Sequence, residues 1–342
     1  MRFSIIIPAY NVEDYIEYCI KSVCEQDFGK DQYEVIVVDD KSSDNTPTIV
    51  KKLQGTSSNI KLIRHSVNKK QGGARNTAIK IAKGEYLIFV DSDDCFLYKN
   101  VLSILDQILL SNEDIDMLRA KYRIIDSSYR ENIVEEISDI PSIEIRTSRN
   151  YLLEGRFPCH IHSACFKRKL ILDNNLYFRE SVFFEDTDWI AKILYVSSKI
   201  GFIDCPFYGY RENLGSTTRS WKREAFLGNI LGCMAVYDFF EKDNIDSQIK
   251  TVMRERIKAS LLSYVRSLGR YKILDSLYCV KFLGHSGLMN LSLYDLSIPQ
   301  RGILMCLKFC SLPLVFLLRY VTLLKRFILN LSKNANSSNR IG

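Results

Sequence analysis

No two of the ten cysteines in this chain form a Cys-x-x-Cys pair. That spacing excludes a zinc ribbon and a dithiol redox motif. Cys19, Cys24, Cys95 and Cys165 stand among apolar residues, so reduced, buried thiols are expected, as in a reducing cytoplasm. No secretory leader is read at the start. Met1-Arg2-Phe3-Ser4-Ile5-Ile6-Ile7-Pro8 has too short an apolar run and no small-residue cleavage site. The apolar run at 309–318 falls well short of the roughly 20 residues that span a bilayer. No G-x-G-x-x-G follows the first apolar strand, where Pro8-Ala9-Tyr10-Asn11 stands instead, against a dinucleotide-binding oxidoreductase. Residues 301–342 contain no acid but seven of the 47 basic residues, Arg301, Lys308, Arg319, Lys325, Arg326, Lys333 and Arg340. The rest of the chain is balanced at 40 acids to 40 bases, so the net charge of +7 belongs to the tail. A nucleic-acid-binding protein would carry its basic residues on a face of the folded body, so no nucleic-acid partner is expected. No internal repeat and no long low-complexity segment is found.

What is present is an α/β pattern. At 342 residues, with 46% apolar and 25% charged residues, the chain suits one large domain or two ordinary ones. Strands are predicted at 3–7, 34–38, 60–64 and 86–90, each rich in β-branched or aromatic residues. Helices alternate with them. The first is expected from about Val12, capped by Asn11, with Val12, Tyr15, Ile16, Cys19, Ile20 and Val23 on one face. The second is expected from Asp44 to Leu53 and the third from Gly73 to Ala82. Repeated strand-helix-strand units imply a mainly parallel sheet flanked by helices. Beyond residue 100 the pattern predicts a helix at 99–111, a strand at 115–125, an acidic loop at 131–144 and helical spacing at 190–194. Residues 221–268 read as helical.

Polar residues gather where the parallel strands end, which is where such sheets bind ligands. The first strand ends in Pro8-Ala9-Tyr10-Asn11, the second in Asp39-Asp40-Lys41-Ser42-Ser43-Asp44 and the fourth in Asp91-Ser92-Asp93-Asp94. Acids crowded at a strand end repel one another unless a cation sits among them. A hard divalent ion that accepts carboxylate and phosphate oxygen fits that place; an acidic turn or helix cap is the plainer reading of the same residues.

The tail is basic, apolar and interrupted by Pro313. Such a segment suits the interface of an anionic membrane; the alternative is a helix pair packed on the body or on a partner subunit.

Five segments together resemble family 2 glycosyltransferases. In order they are Ser4-Ile5-Ile6-Ile7-Pro8-Ala9-Tyr10-Asn11, Val38-Asp39-Asp40-Lys41-Ser42-Ser43-Asp44-Asn45-Thr46, Gln71-Gly72-Gly73-Ala74-Arg75-Asn76, Asp91-Ser92-Asp93-Asp94 and Glu185-Asp186. The resemblance implies a GT-A fold and an inverting transfer from a nucleotide-activated sugar, usually UDP-linked, with Mn²⁺ or Mg²⁺ as cofactor. By the same resemblance Pro8, Tyr10 and Asn11 line the nucleotide pocket, with Asp40 and Ser92 beside it. Asp39 accepts from uracil N3–H, and Arg75 lies near the uridine and diphosphate. Asp91 contacts the ribose or the metal shell, Asp93 ligates the metal, and Asp186 is the base with Glu185 beside it. Glu185-Asp186 also suits a plain helix N-terminus. Asp188 reads as a capping or surface acid, and Trp189 as either core or a sugar platform. One stretch departs from the family. Where Trp-x-Lys-Leu-Tyr-Lys-Arg is common, this chain has His162-Ser163-Ala164-Cys165-Phe166-Lys167-Arg168. His160 and His162 form a His-x-His pair that could bind metal; with no third ligand in view, they are expected as polar groups in the acceptor cleft.

The expected organisation is a nucleotide-sugar-binding half at 1–110, an acceptor half with the base at 111–220, a helical extension at 221–298 and the tail at 299–342. The expected activity is transfer of one hexose or N-acetylhexosamine to a carbohydrate acceptor, such as a lipid-linked oligosaccharide of a bacterial surface polysaccharide, with a β-linkage. The tail would hold the protein on the inner face of the cell membrane. Self-association is left open, and a non-catalytic nucleotide-sugar-binding subunit is the alternative.

Overall fold

The computed structural model describes residues 1–130, 135–155, 160–212 and 223–270, with 275, 276, 278, 279 and 282 beyond them. The chain divides into two compact units, Met1–Ser216 and Thr217–Gly342.

The first unit begins with strand β1 (Phe3–Ala9), helix α1 (Ile16–Cys24), β2 (Tyr33–Asp39), α2 (Thr46–Gln54), β3 (Ile60–Arg64), α3 (Lys70–Ile81) and β4 (Tyr86–Phe89). Every residue of β1, β2 and β4 is buried, as in a sheet covered on both faces. β1 pairs in parallel with β2 and β4, and β2 with β3. Parallel crossovers are right-handed. The chain therefore moves outward from β1 to β3 with α1 and α2 on one face, then returns to β4 with α3 on the other. α1 accordingly packs on α2, and α3 on β1 and β2.

The second part of this unit adds β5 (Cys95–Phe96), α4 (Val101–Leu110), β6 (Ile115–Ile125), β7 (Ile143–Thr147), α5 (Ser148–Leu153), β8 (Ala164–Lys167), α6 (Arg168–Asp173), α7 (Asp186–Val196) and β9 (Lys199–Arg211). Here pairing is mixed. β8 lies antiparallel between β4 and β6, β9 runs parallel to β6, and β5 and β7 pair antiparallel to β9. The nine strands form one sheet in the order β3-β2-β1-β4-β8-β6-β9-β5, with β7 on β9. The expected parallel arrangement thus belongs to the β3-to-β4 half. A short apolar strand has the same residue pattern whichever way its neighbour runs, so β8 was not readable as antiparallel.

Two sequence expectations need correction. α1 starts at Ile16, with Tyr15 as its cap, not near Val12 with Asn11 as cap. Asn11 has φ of 51°, and the Val12 N–H donates to Thr46 Oγ1 at 2.9 Å. The apolar Val12 still packs on the core from this non-helical segment. The loop expected up to residue 144 gives way to β7 at Ile143; residues 131–134 lie outside the described residues.

In the second unit the helical reading of 221–268 resolves into α8 (Arg223–Phe240) and α9 (Ser247–Ser267), packed on one another. Asp246 caps α9 by accepting from the Gln248 and Ile249 N–H groups. No helix among the described residues is long and apolar enough to cross a membrane. The basic tail at 299–342 lies outside the described residues.

Candidate active site

β2, β1 and β4 are neighbours in the sheet, so their carboxyl ends share one rim. At the first end Pro8 is buried within β1, while Tyr10 is 51% exposed. Asn11 ties the first end to the second. Its N–H donates to Ser42 Oγ at 2.9 Å, and its Oδ1 accepts from the Ser43 N–H at 2.9 Å.

At the second end Asp39 and Asp40 are both buried. Asp39 Oδ1 accepts from the Ser42 N–H, and Arg64 Nε stands 3.0 Å from Asp39 Oδ2, too poorly aligned for a hydrogen bond. Asp40 Oδ1 meets His65 Nδ1 and accepts from the Lys69 N–H, both at 2.8 Å, and the far nitrogen of His65 reaches Thr77 Oγ1 at 2.9 Å. Asp40 thus organises the approach to α3. One carboxylate oxygen of each acid, Oδ2, is buried without a hydrogen bond. A buried acceptor left this way is stabilised by any donor that reaches it.

α3 delivers Arg75, whose guanidinium links the fourth and fifth of the motif segments. Nη2 donates to Asp91 Oδ1 at 2.8 Å, Nη1 donates to the Glu185 carboxylate, and the guanidinium lies over the Phe178 ring. Arg75 is 3% exposed. Gly72 allows this approach. A Cβ there would stand 2.2 Å from the Arg179 carbonyl oxygen and 3.1 Å from Glu185 Cγ. Both glycines lie inside α3, and at Gly72 it is the nearness of another chain segment that demands a glycine.

Glu185 is the N-cap residue of α7 and Asp186 its first residue, as the helix-N-terminus reading of that pair expects. The Asp186 carboxyl is pushed up to about 7, first by burial and then by neighbouring Glu185, while Arg75 opposes the rise. Asp188 is not a surface acid. It is buried between Arg179 Nε and Lys192 Nζ, each at 2.6 Å, and so holds the segment before α7 to the helix. Trp189 is core: fully buried, stacked on Phe178, its Nε1–H donating to the Leu176 carbonyl.

Of the acid run after β4, Asp91 is 26% exposed, Asp93 is partly exposed, and Ser92 and Asp94 are buried. Asp94 accepts from Tyr208 Oη at 2.6 Å and from the Arg211 N–H at 2.8 Å. Burial, then Asp93 and Asp91, raise its carboxyl well above the usual range. Among the described residues no group of three or more His, Cys, Asp or Glu has metal-holding geometry. Asp93 and Asp91 can supply only part of a coordination shell. That fits Mg²⁺ or Mn²⁺, which take one or two carboxylates and complete the shell with substrate phosphates and water.

His160 and His162 are stacked, ring centroids 3.9 Å apart, with Tyr122 edge-on to both and Tyr208 and Tyr210 stacked on His162. Burial, His162 and Arg119 push His160 down to about 2, and burial and Arg119 push His162 down to about 3. Both rings are neutral near pH 7 and form an uncharged aromatic wall that keeps polar ring atoms: Arg119 Nη2 reaches the His160 ring nitrogens, and His162 Nε2 is buried without a hydrogen bond. Tyr208, Tyr210, Arg211, Tyr122 and Arg119 escaped the sequence reading. Tyr208 and Asp94 are 114 residues apart, and no local pattern marks such a pairing.

The fold is that of the nucleotide-sugar transferases of GT-A type. The crystal structure of residues 1–349 of Staphylococcus aureus TarS in complex with UDP-GlcNAc matches 94% of this chain and 91% of that one, with a TM-score of 0.69 and 23% identity. Residues 4–173 match the model of glycosyl transferase family 2, so the chain carries a domain of that family. A poly(ribitol-phosphate) beta-glucosyltransferase of Bacillus spizizenii is 50% identical over 95 residues, 28% of this chain and 15% of that protein. The poly(ribitol-phosphate) beta-N-acetylglucosaminyltransferase TarS is 34% identical over 185 residues, 53% of this chain and 30% of that protein. The Escherichia coli UDP-Glc:alpha-D-GlcNAc-diphosphoundecaprenol beta-1,3-glucosyltransferase WfgD is 40% identical over 125 residues, 36% of this chain and 47% of that protein. The matched region thus spans less than half the length of each of these three relatives.

Proposed function

We propose that this chain is an inverting, metal-dependent hexosyltransferase that moves one hexose or N-acetylhexosamine from a UDP-sugar to a carbohydrate acceptor with a β-linkage. The observation that carries the proposal is Asp186, a carboxyl near neutrality at the head of α7, beside the Arg75 bridge to Asp91. A general base works best when its pKa lies near the working pH. Asp186 takes the proton of the acceptor hydroxyl as that oxygen attacks the anomeric carbon from the face opposite the leaving diphosphate. The geometry parallels an inverting glycosidase with the acceptor in place of water. Asp93, with Asp91, would hold a divalent cation, which offsets the charge growing on the diphosphate. Asp39 would receive the uracil N3–H, and its unsatisfied Oδ2 supports that role. Pro8, Tyr10, Asn11, Asp40 and Ser92 would line the same pocket.

The first half, 1–110, then serves the donor, and 111–220 serves the acceptor. The neutral wall of His160, His162, Tyr122 and Tyr210 would face the acceptor sugar. Acceptors named for the relatives are poly(ribitol-phosphate) and a diphosphoundecaprenol-linked sugar. A lipid-linked or polymeric acceptor of a bacterial surface polysaccharide, reached from the cytoplasmic membrane face by way of the 299–342 tail, fits this group.

The test is UDP release from a panel of UDP-sugars, with and without Mn²⁺, by wild type and Asp186→Asn. Sugar-dependent release by the wild type and loss of about 10²–10⁴ in rate by the variant are expected. Tight UDP-sugar binding without turnover under any metal condition would leave the non-catalytic subunit standing.

A further inference from the structure

The turn that carries Asp93 is held from behind by the end of β9. Tyr208 Oη accepts the Asp91 N–H at 3.1 Å and donates to Asp94 Oδ2 at 2.6 Å. Three residues on, the Arg211 N–H donates to Asp94 Oδ1 at 2.8 Å, and Arg211 Nε donates to the carbonyl oxygen of Asp93 at 2.6 Å. Gly209 lies between them, where a Cβ would come within 2.9 Å of both Cys95 Sγ and Leu97 Cδ2. Strand and turn are therefore in close contact along this whole stretch.

Arg211 is 2% exposed. Nη1 is shared by the carbonyls of Asp126, Ser127 and Tyr129, and the guanidinium lies over the rings of Tyr15 and Tyr18. Nη2 is buried without a hydrogen bond. One planar fork thus ties α1, the 126–129 turn and the acid turn together, which a lysine's single ammonium cannot reproduce. A buried charge with an unsatisfied donor costs stability. Its grip is on the main chain of Asp93, so it sets the peptide plane from which the Asp93 side chain springs.

We propose that Arg211 is a positioning residue: it holds the Asp93 carbonyl and so aims the Asp93 carboxylate at the divalent cation, with Tyr208 steadying the same turn through Asp91 and Asp94. The inference rests on the proposed metal-dependent reading.

The experiment measures UDP binding by calorimetry on the full chain, across a Mn²⁺ series and in EDTA. Wild type, Arg211→Lys and Tyr208→Phe are compared, each checked for folding by circular dichroism. The Mn²⁺ concentration for half-maximal UDP binding should rise about tenfold in Arg211→Lys, in the range seen when a ligand's supporting group is lost. The rise should be smaller but of the same sign in Tyr208→Phe, while UDP affinity in EDTA stays at its wild-type level. A folded Arg211→Lys protein with the wild-type Mn²⁺ dependence overturns the inference alone. So does equal weakening with and without Mn²⁺, which is what a merely structural role produces. Should Arg211→Lys fail to fold, Tyr208→Phe decides by the same readout. A wild type whose UDP binding ignores Mn²⁺ overturns both this inference and the metal-dependent reading beneath it.

Discussion

Asp186 and Arg75 show how much depends on one buried guanidinium among acids. Arg75 meets Asp91 and Glu185 directly and lowers the proton affinity of Asp186, yet burial and Glu185 outweigh it and hold that carboxyl at about 7. Because the proposed base acts only when deprotonated, the transfer rate should rise with pH through about 7, read from a pH–rate profile of UDP release. A flat profile from pH 5 to 8 would remove Asp186 as base. Stability should run the other way. Asp186 is protonated in the folded state to higher pH than in the unfolded state, where an aspartate titrates near pH 4. Between roughly pH 4 and 7 the folded state binds the extra proton, so this group's contribution falls as pH rises through that window. Asp94, also raised by burial, acts in the same direction. Asp186→Asn should therefore gain more melting temperature over wild type at pH 8 than at pH 5. The candidate acids themselves were legible in the sequence, since each stands at a strand end or a helix head. Their partners were not. Arg75 and Glu185 are 110 residues apart, and Asp188 pairs with Arg179 as well as with the helical neighbour Lys192.

Elements were legible where periodicity and packing agree. β3 at Ile60–Arg64 and β6 at Ile115–Ile125 fall where the sequence pattern places them. α1 shows the opposite case. Its apolar spacing runs back to Val12, but hydrogen bonds from residues 11–13 to Ser42, Thr46 and Asp44 hold that segment away from helical geometry. Side-chain acceptors on a neighbouring loop had captured the amides that would open a helix. At α3 the decisive feature is close approach. Gly72→Ala would push a methyl into the Arg179 carbonyl, so the segment that leads to Glu185 and Asp186 must shift. The variant should lose about 1–3 kcal/mol in urea unfolding, in the range for overpacking, and lose transfer rate with it. Wild-type stability with wild-type rate would show that the 179–185 segment yields freely.

For the whole molecule, the proposed attachment to membranes belongs to the tail alone, since the rest of the chain is charge-balanced. Deleting 301–342 should abolish sedimentation with anionic vesicles and leave UDP binding intact; unchanged sedimentation would assign the contact elsewhere. By itself the sequence determined the parallel half of the sheet, the acids at its carboxyl rim and the likeness to family 2 glycosyltransferases. Those depend on local periodicity and on short runs whose chemistry is complete within a few residues. Only the tertiary structure decided that β8 runs antiparallel beside β4, that Asp94 and Asp188 are buried supports and that Arg211 grips the Asp93 carbonyl. The β4–β8 pairing and the contacts of Asp94 and Arg211 join segments far apart in the chain, and Asp188 owes its burial to the packing around it. Their distance and burial are set by how the whole sheet packs, and no local pattern of residues encodes that.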